Sequence, residues 1–261
     1  MELKEAIGTR RSYRFLLPHK DVELWKIQKM LEAARLASFW GNVQALKAVV
    51  VHRATATDEV VNSLFAPVLG YQIERAPVTI VWYLDWEMLD EQGSRLKELV
   101  EARAMGLDRE KADAHLDNIL IPFFERIIPG MKHNHPLTAM DCGQGIAQAT
   151  LVAIDEGLGT CCLGTANGDA IKKNLELPES AEILVLMTVG YPAETREAGG
   201  QRPRVEFERT FFLNSHDNPF PRDEAIVEEL KEEKMIQAPA PLPWREGELK
   251  YLQKALDLPD F

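Results

Sequence analysis

The stretch AMDCGQGIAQATLVAIDEGLGTCCLG, residues 139–164, carries the strongest structural signal in this sequence. Its first part, residues 139–156, has almost no polar face, and small residues recur along it. A helix that is apolar on nearly every side is buried on nearly every side. Gly157-Leu158-Gly159 predicts the end of that helix. Residues 160–164 then predict a short strand or a loop.

Apolar runs elsewhere in the chain predict three buried strands, at residues 47–52 (KAVVVH), 77–84 (PVTIVWYL) and 183–189. Helical periodicity and capping signals predict helices at residues 2–9, from Asp21 to about Ser38, at 58–74, over much of 87–128 with breaks near Gly106 and Pro122, from Asn167 to before Pro178, and at 222–234. Few strands among many helices are typical of an α/β or α+β sandwich with a small sheet.

Length and composition are those of an ordinary globular protein, with 261 residues and 46% hydrophobic residues, enough for one large domain or two small ones. The N-terminal sequence MELKEAIGTRR lacks the apolar stretch of a secretory signal, and no apolar run approaches the length of a membrane helix. Three cysteines are too few for a disulfide framework. We therefore expect a cytoplasmic protein with no membrane partner.

Charge is distributed unevenly along the chain. The total is −11, but residues 1–53 carry a net +5 and the remainder carries −16. An acidic protein lacks the basic face that nucleic-acid binding needs, so we expect no nucleic-acid partner. A local basic cluster favours a small anionic ligand instead.

Several common types of functional site are excluded because their sequence motifs are incomplete or absent. Gly143-x-Gly145 has no strand before it and no third glycine, so it is not a dinucleotide-binding turn. A phosphate-binding GxxxxGK[ST] loop and a GxSxG elbow are absent. His133 and His135 have no further ligands at zinc spacing, and Cys161-Cys162 are adjacent, so we expect no metal and two buried structural thiols.

Arginines near the start of the chain form the most informative polar cluster. Arg10, Arg11 and Arg14 lie within five residues, with Ser12 between them, and Arg202-Pro203-Arg204 repeats the pattern later. Arginine binds phosphate through paired, charge-assisted hydrogen bonds. Two interpretations stay open on these residues alone: a phosphate site, or ordinary solvated arginines.

Several motifs occur in a fixed order along the chain. They are Arg10-Arg11-Ser12-x-Arg14-x-x-x-Pro18, the stretch from Leu31 to Gln44, Val49-Val50-Val51, Ala76-Pro77-Val78-x-Ile80-Val81, the stretch from Asp141 to Gly164, Leu177-Pro178, Val189-Gly190-Tyr191-Pro192 and Arg202-Pro203-Arg204. In this order the motifs resemble the FMN-dependent nitroreductase family over roughly residues 3–210. The segment 87–135 matches little and corresponds to a variable helical insertion.

The resemblance implies an α+β three-layer sandwich, with a small central sheet flanked by helices, that forms a homodimer with FMN at the subunit interface. The FMN-binding domain would span residues 1–214. Residues 215–261 would be a C-terminal extension that could wrap the partner subunit. Apolar residues with small side chains over 139–156 suit a buried dimer core.

Residue roles also follow from the resemblance. Arg10, Arg202 and Arg204 would hold the FMN phosphate with Ser12, and Arg11 belongs to the same cofactor-binding group. Arg14 would lie near flavin N1/O2 and tune the flavin. Asn42 and Gln44 would contact the ring or the partner's flavin, and the backbone of Leu163 and Gly164 would face N5. No protein nucleophile is implied, because N5 carries the chemistry.

Ser38-Phe39 replaces the Pro-Ser that usual family members place before Trp-Gly-Asn, so a serine contact to the flavin is lost. Phe39 and Trp40 are expected in the substrate pocket. The implied activity is a ping-pong reaction in which NADH or NADPH reduces FMN and a small acceptor, such as a nitroaromatic or a quinone, reoxidises it. A reductive dehalogenase, a flavin-fragmenting enzyme and a low-turnover flavin carrier or sensor remain alternatives on the same fold.

Overall fold

A small sheet forms the middle of the molecule in the computed structural model, which describes residues 1–68 and 70–258. Its strands pair antiparallel throughout, in the order β1-β2-β4-β3. The strands are β1 (Leu46–His52), β2 (Val78–Asp85), β3 (Gly159–Leu163) and β4 (Ala181–Gly190). All three predicted strands are confirmed, and the stretch left open as a strand or a loop is β3.

Helices make up most of the remaining regular structure. The α-helices of the described residues are α1 (Leu3–Thr9), α2 (Leu24–Arg35), α3 (Asp58–Ser63), α4 (Tyr71–Arg75), α5 (Gln92–Glu101), α6 (Arg109–His115), α7 (Ile121–Met131), α8 (Pro136–Asp155), α9 (Gly168–Asn174), α10 (Glu224–Glu232) and α11 (Arg245–Ala255). Short 3₁₀ turns lie at Trp40–Asn42, Trp86–Glu91 and Phe207–Arg209, and a π-helical turn covers Leu116–Leu120.

Both faces of the sheet are covered by helices. Ile80 and Met187 project from one face into a core that includes residues of α2 and α8. Val81 and Leu186 project from the other face into a core that reaches Ile171 of α9. Successive strand residues point to opposite faces, so the nearly continuous apolar runs of β2 and β4 fit a sheet buried on both sides. The expected three-layer α+β sandwich is confirmed.

Helix boundaries differ from the sequence-based prediction in several places, and α2 begins at Leu24 and not at Asp21. The predicted helix 58–74 is two short helices, because Pro67 disfavours a helical conformation in the residue before it. Pro122 does not break the helical run, because α6, the π-helical turn and α7 follow one another without a gap over residues 109–131, and Pro122 lies two residues after that turn. The terminal tail contains α11, which the sequence pattern does not indicate.

The C-terminal extension packs against its own chain. Helix α10 lies against α1, where Lys4 forms ion pairs with Glu229 and Glu233. The segment 238–242 then pairs with residues 199–201 through backbone hydrogen bonds. Leu252 of α11 is buried against Phe15. These contacts lie within one chain, and wrapping of the partner subunit by the extension stays a prediction.

Helix α8 is buried on one side only within this chain. Gly145, Ala149 and Ala153 face inward, and a Cβ on Gly145 would lie 3.0 Å from the carbonyl oxygen of Ala34 in α2. Met140 and Ala147 are exposed on the opposite side. The expectation of burial on nearly every side is therefore wrong for a single chain. None of the described helices is both long enough and apolar enough to cross a membrane.

Candidate cofactor-binding site

The N-terminal arginine segment, residues 10–14, runs along the outer edge of the sheet. Helix α1 ends at Thr9, and the backbone N–H of the next residue, Arg10, still donates to the Ala6 carbonyl. The chain then continues beside the edge strand β3, where Ser12 bridges to Thr160 and the N–H of Tyr13 donates to the Thr160 carbonyl at 2.9 Å. These bonds place the side chains of the segment at the free edge of β3.

Glu194 fixes the next part of this segment through hydrogen bonds to its backbone. Its Oε1 accepts hydrogen bonds from the backbone N–H groups of Arg14, at 2.8 Å, and of Phe15, at 3.3 Å. The Glu194 side chain is 1% exposed and forms an ion pair of 2.8 Å with Arg245 of α11. The Arg14 guanidinium makes only one longer bond, of 3.2 Å, to the Ser12 carbonyl.

Arginines from both ends of the family-like region converge here. The pKa of Arg202 is lowered from its ordinary value, first by burial and then by the positive charges of Arg14, Arg245 and Arg204, against the opposing effect of Glu194. These charges influence one another only because the chain brings residues 10–14 and 202–204 together. The charges of Arg14 and Arg204 therefore lie close enough to Arg202 to affect it, and the shared binding role of the two arginine groups stays a prediction.

Most of these arginines have no counter-ion. Among the described residues, no carboxylate lies within ion-pair distance of Arg10, Arg14, Arg202 or Arg204. The Arg204 guanidinium bonds only to the backbone carbonyls of Arg202 and Pro203. Like charges held together without a carboxylate repel one another, and an anion placed among them relieves that repulsion.

These four arginines, Arg10, Arg14, Arg202 and Arg204, form the basic cluster. A cleft of about 340 Å³ adjoins it at Arg10. Residues of the arginine segment, of β3 and of the exposed side of α8 form its walls: Arg10, Arg11, Ser12, Gly143, Ile146, Ala147, Thr150, Leu151, Thr160, Cys161 and Cys162. Small side chains on α8 keep the cleft open. Its walls are mainly apolar and include the cations Arg10 and Arg11, which suits a flat organic ligand that carries an anionic group.

Arg11 has a different role from its neighbours. Its side chain is buried and donates hydrogen bonds to the carbonyls of Gly8, Arg10, Glu197 and Gly200 and to the side chain of Gln237. Because nearly all its donors are occupied, the geometry does not support the expected cofactor contact by this guanidinium. Instead, Arg11 ties α1 to the C-terminal extension.

Leu163 and Gly164 lie at the end of β3. Leu163 is buried and is the last residue of the strand, while Gly164 is exposed. A side chain on Gly164 would meet nothing within 4 Å. A planar ligand could thus approach the backbone closely at this point.

The second predicted group, residues 39–44, lies elsewhere in the chain. Phe39 and Gln44 line a separate cleft of about 370 Å³, together with Trp82 and Met88. Asn42 and Gln44 both have positive φ, of 59° and 53°, and the Gln44 amide donates to the Asn42 side chain at 3.1 Å. One chain therefore does not bring residues 39–44 and the basic cluster into the same cleft.

Trp40 is fixed by contacts with α8 and with His135, the residue just before that helix. Its backbone N–H donates to Asp141 at 2.7 Å, and its indole N–H donates to Thr138 at 2.8 Å. The ring packs against His135, with 4.9 Å between ring centroids. Trp40 is thus an anchor for the loop that carries Phe39, and it is not among the residues that line the cleft.

The histidines and cysteines take the structural roles that their motifs suggest, with one correction. His135 bonds to Thr138 at 2.6 Å, and His133 packs on Trp86. No group of His, Cys, Asp and Glu residues in the described part of the chain could hold a metal ion. Cys161 is buried as expected, but Cys162 is exposed in the cleft beside β3.

Two important residues of the site are missing from the sequence-based prediction. Glu194 and Arg245 form a buried ion pair at the back of the basic cluster. Neither residue belongs to a motif, and the terminal tail that contains Arg245 shows no pattern linking it to the arginine segment. Only the fold of the extension reveals this contact.

Comparison with known proteins relates this geometry to a family. A model of the nitroreductase family matches residues 7–191. No curated protein sequence matches the chain. Among solved structures, a nitroreductase-like protein from Streptococcus mutans has a TM-score of 0.65 at 20% identity, covering 80% of this chain and 97% of that one.

Two further structures show the same fold. One, from Exiguobacterium sibiricum, is assigned as a nitroreductase and was solved in complex with FMN; it has a TM-score of 0.64 at 21% identity, over 79% of this chain and 94% of that one. The other, from Staphylococcus epidermidis, is assigned as an NAD(P)H:FMN oxidoreductase. It has a TM-score of 0.66 at 16% identity, over 81% of this chain and 95% of that one.

Proposed function

This chain belongs to the nitroreductase family, and from that premise we propose that it is an FMN-dependent oxidoreductase. The observation that carries the proposal is the cluster of arginines without counter-ions beside the edge strand β3. A related fold that was solved with FMN supports the choice of cofactor. So does the cleft, whose apolar walls and basic end match a ring system joined to a phosphate.

In this proposal the basic cluster holds the phosphate. Arg10, Arg202 and Arg204 donate charge-assisted hydrogen bonds to it, and the Ser12 hydroxyl adds a neutral donor at the same end of the cleft. Arg14 lies nearer the ring, where a fixed positive charge stabilises the electron-rich reduced form. The backbone of Leu163 and Gly164 borders the ring at the end of β3.

When bound, FMN would supply the hydride and electron transfer between NADH or NADPH and a small acceptor such as a nitroaromatic or a quinone, in a ping-pong reaction. The chain's own residues bind and orient the cofactor and set the charge around it. No nucleophilic side chain is required. The exposed Cys162 needs no role in the reaction.

A second copy of the chain would complete the site. Phe39, Asn42 and Gln44 line or border a different cleft from the basic cluster in one chain, so they can reach the same cofactor only from a partner subunit. The exposed side of α8 borders the cofactor cleft and carries Met140 and Ala147. A homodimer formed through that side would cover an apolar surface and bring the two groups of residues together.

A visible spectrum of the purified protein after incubation with FMN tests the proposal. We expect a flavin spectrum that stays with the protein through desalting and that bleaches when NADH or NADPH is added without oxygen. Addition of a quinone should restore the oxidised spectrum. A protein that cannot be loaded with FMN would rule the proposal out, and a loaded protein that neither nicotinamide reduces would indicate a flavin carrier.

A further inference from the structure

Glu194 is a buried carboxylate at the centre of the basic cluster. It lies beneath the arginine segment, with its Oε1 occupied by the backbone N–H groups of Arg14 and Phe15. Its electrostatic influence reaches Arg202 as well as Tyr13 and Tyr71. A buried carboxylate in this position would form an ion pair with a nearby guanidinium.

Arg245 takes that position from the C-terminal extension. Its guanidinium contacts Oε2 of Glu194 at 2.8 Å and the carboxylate of Glu248 at 2.7 Å. The side chain is 11% exposed, and its guanidinium carbon lies 5.8 Å from the centre of the Phe15 ring. Glu248 in turn accepts the backbone N–H of Thr195 at 2.6 Å, so α11 is joined to both sides of Glu194.

Arg245 comes from outside the part of the chain that matches the family, which ends at residue 191. Glu194 also lies beyond that range, so the whole pair is outside the matched region. With Glu194 matched by Arg245, neither Arg14 nor Arg202 has a carboxylate partner among the described residues. If Arg245 were absent, the buried carboxylate would retain its charge beside two arginines free to pair with it.

We propose that Arg245 is a positioning residue of the anion site: by pairing with Glu194, it keeps the guanidiniums of Arg14 and Arg202 available to an anionic ligand. The identity of that ligand as FMN rests on the proposed function. The effect itself does not, because any phosphate-bearing ligand would compete with Glu194 for the same two arginines.

The test removes the guanidinium of Arg245 but keeps an unbranched, largely apolar side chain in its place. In the full-length Arg245→Met variant, Glu194 should pair with Arg14 or Arg202, and FMN affinity measured by flavin fluorescence should fall about tenfold or more. Arg245→Lys restores the charge and should recover most of the affinity. Lys250→Met removes an exposed cation from the same helix, whose one ion pair within the described residues is with Glu246, and should bind FMN like the parent.

A double variant separates this role from a merely structural one. Glu194→Gln keeps an oxygen for the N–H groups of Arg14 and Phe15 but removes the competing charge. Arg245→Met with Glu194→Gln should therefore bind FMN like the parent. A double variant that binds no better than Arg245→Met alone would show that Arg245 only anchors α11, and would overturn the proposal, as would an Arg245→Met variant with parental affinity.

Two further comparisons cover the remaining outcomes. If Arg245→Met does not fold, the double variant is compared with Glu194→Gln alone: equal FMN affinities are expected, and a loss in the double variant refutes the proposal. Inorganic phosphate serves as a second probe, read as a rise in the thermal unfolding midpoint. If phosphate stabilises the parent more than Arg245→Met and the parent does not bind FMN, only the proposed function is refuted. If neither phosphate nor FMN stabilises the parent, both proposals are refuted.

Discussion

Single arginines in this protein differ sharply in how their charge is used. Arg11 is buried and bonds to backbone carbonyls, so it holds loops together. Arg245 is matched by two carboxylates. Arg10, Arg14, Arg202 and Arg204 have no such partners among the described residues, which leaves these four guanidiniums of the cluster free to bind an anion.

Arg204 offers the simplest test of the phosphate site. It is exposed, and its guanidinium contacts only backbone carbonyls, so Arg204→Ala should change the free energy of unfolding by no more than about 0.5 kcal/mol. Loss of a charge-assisted phosphate bond should weaken FMN binding by about 10- to 150-fold. Fluorescence titration measures this. Riboflavin lacks the phosphate and should bind variant and parent equally; a parallel loss of riboflavin affinity would place Arg204 outside the phosphate site.

Arg14 tests the other end of the cofactor. If its charge lies beside the ring, Arg14→Ala should lower the midpoint potential of the bound flavin and slow its reduction by nicotinamide more than it weakens FMN binding, because the charge acts mainly on the reduced form. Equilibrium titration against a redox dye measures the potential. Identical potentials in variant and parent would mean that Arg14 does not border the ring.

At this scale the sequence predicts the residues of the site better than their contacts. The two arginine groups are visible because each is a short local motif. The role of Glu194 is not, since its partner Arg245 lies in a tail with no recognisable pattern. Arg11 shows the converse limit: adjacent arginines look alike in a sequence, and only the direction of each side chain decides which one binds backbone carbonyls.

Secondary-structure elements were predictable where their signal is local. The apolar runs of β2 and β4 identify strands buried on both faces, and both were predicted. Helix α11 was not, because it buries Leu252 against Phe15 but has few other apolar residues. The break between α3 and α4 depends on Pro67, whose effect the helical periodicity of residues 58–74 conceals.

Contact between α1 and the extension can be tested at Gly8. A Cβ added there would collide with the carbonyl oxygen of Lys234 and lie 2.5 Å from the Cα of Met235. Gly8→Ala should therefore lower the free energy of unfolding by about 1–3 kcal/mol through overpacking. Gly130→Ala in α7 is the control, because nothing lies within 4 Å of its added Cβ. The control should be stabilised by about 0.5–1 kcal/mol, and chemical denaturation measures both.

Helix α8 is the element on which the proposed dimer depends. Ala147→Glu places a charge on its exposed side and should convert the protein to a monomer, because an unpaired charge in an apolar interface costs several kcal/mol. Sedimentation at micromolar concentration measures the result. Ala225→Glu, on the exposed first turn of α10, is the matched control and should leave the oligomeric state unchanged. A monomeric parent, or a dimeric Ala147→Glu variant, would contradict the α8 interface.

The residues proposed to bind the cofactor lie at two separate places in one chain. The basic cluster and β3 form one half, and the loop carrying Phe39, Asn42 and Gln44 forms the other. The sequence predicts the members of both halves, but a single sequence does not show that they lie apart in one chain. That separation follows from the fold, in which α8 lies between the Trp40 anchor and the cofactor cleft.

A complementation experiment tests whether two chains share each site. Arg202→Ala damages the basic half and Asn42→Ala damages the loop half, so dimers of either variant alone contain two damaged sites. In a mixed dimer of the two variants, both lesions fall in one site, and the other site is fully intact. We therefore expect mixed dimers, purified through two different affinity tags, to bind about half the FMN of the parent at parental affinity. If each site lay within one chain, every site in the mixed dimer would carry one lesion, and no high-affinity binding would return.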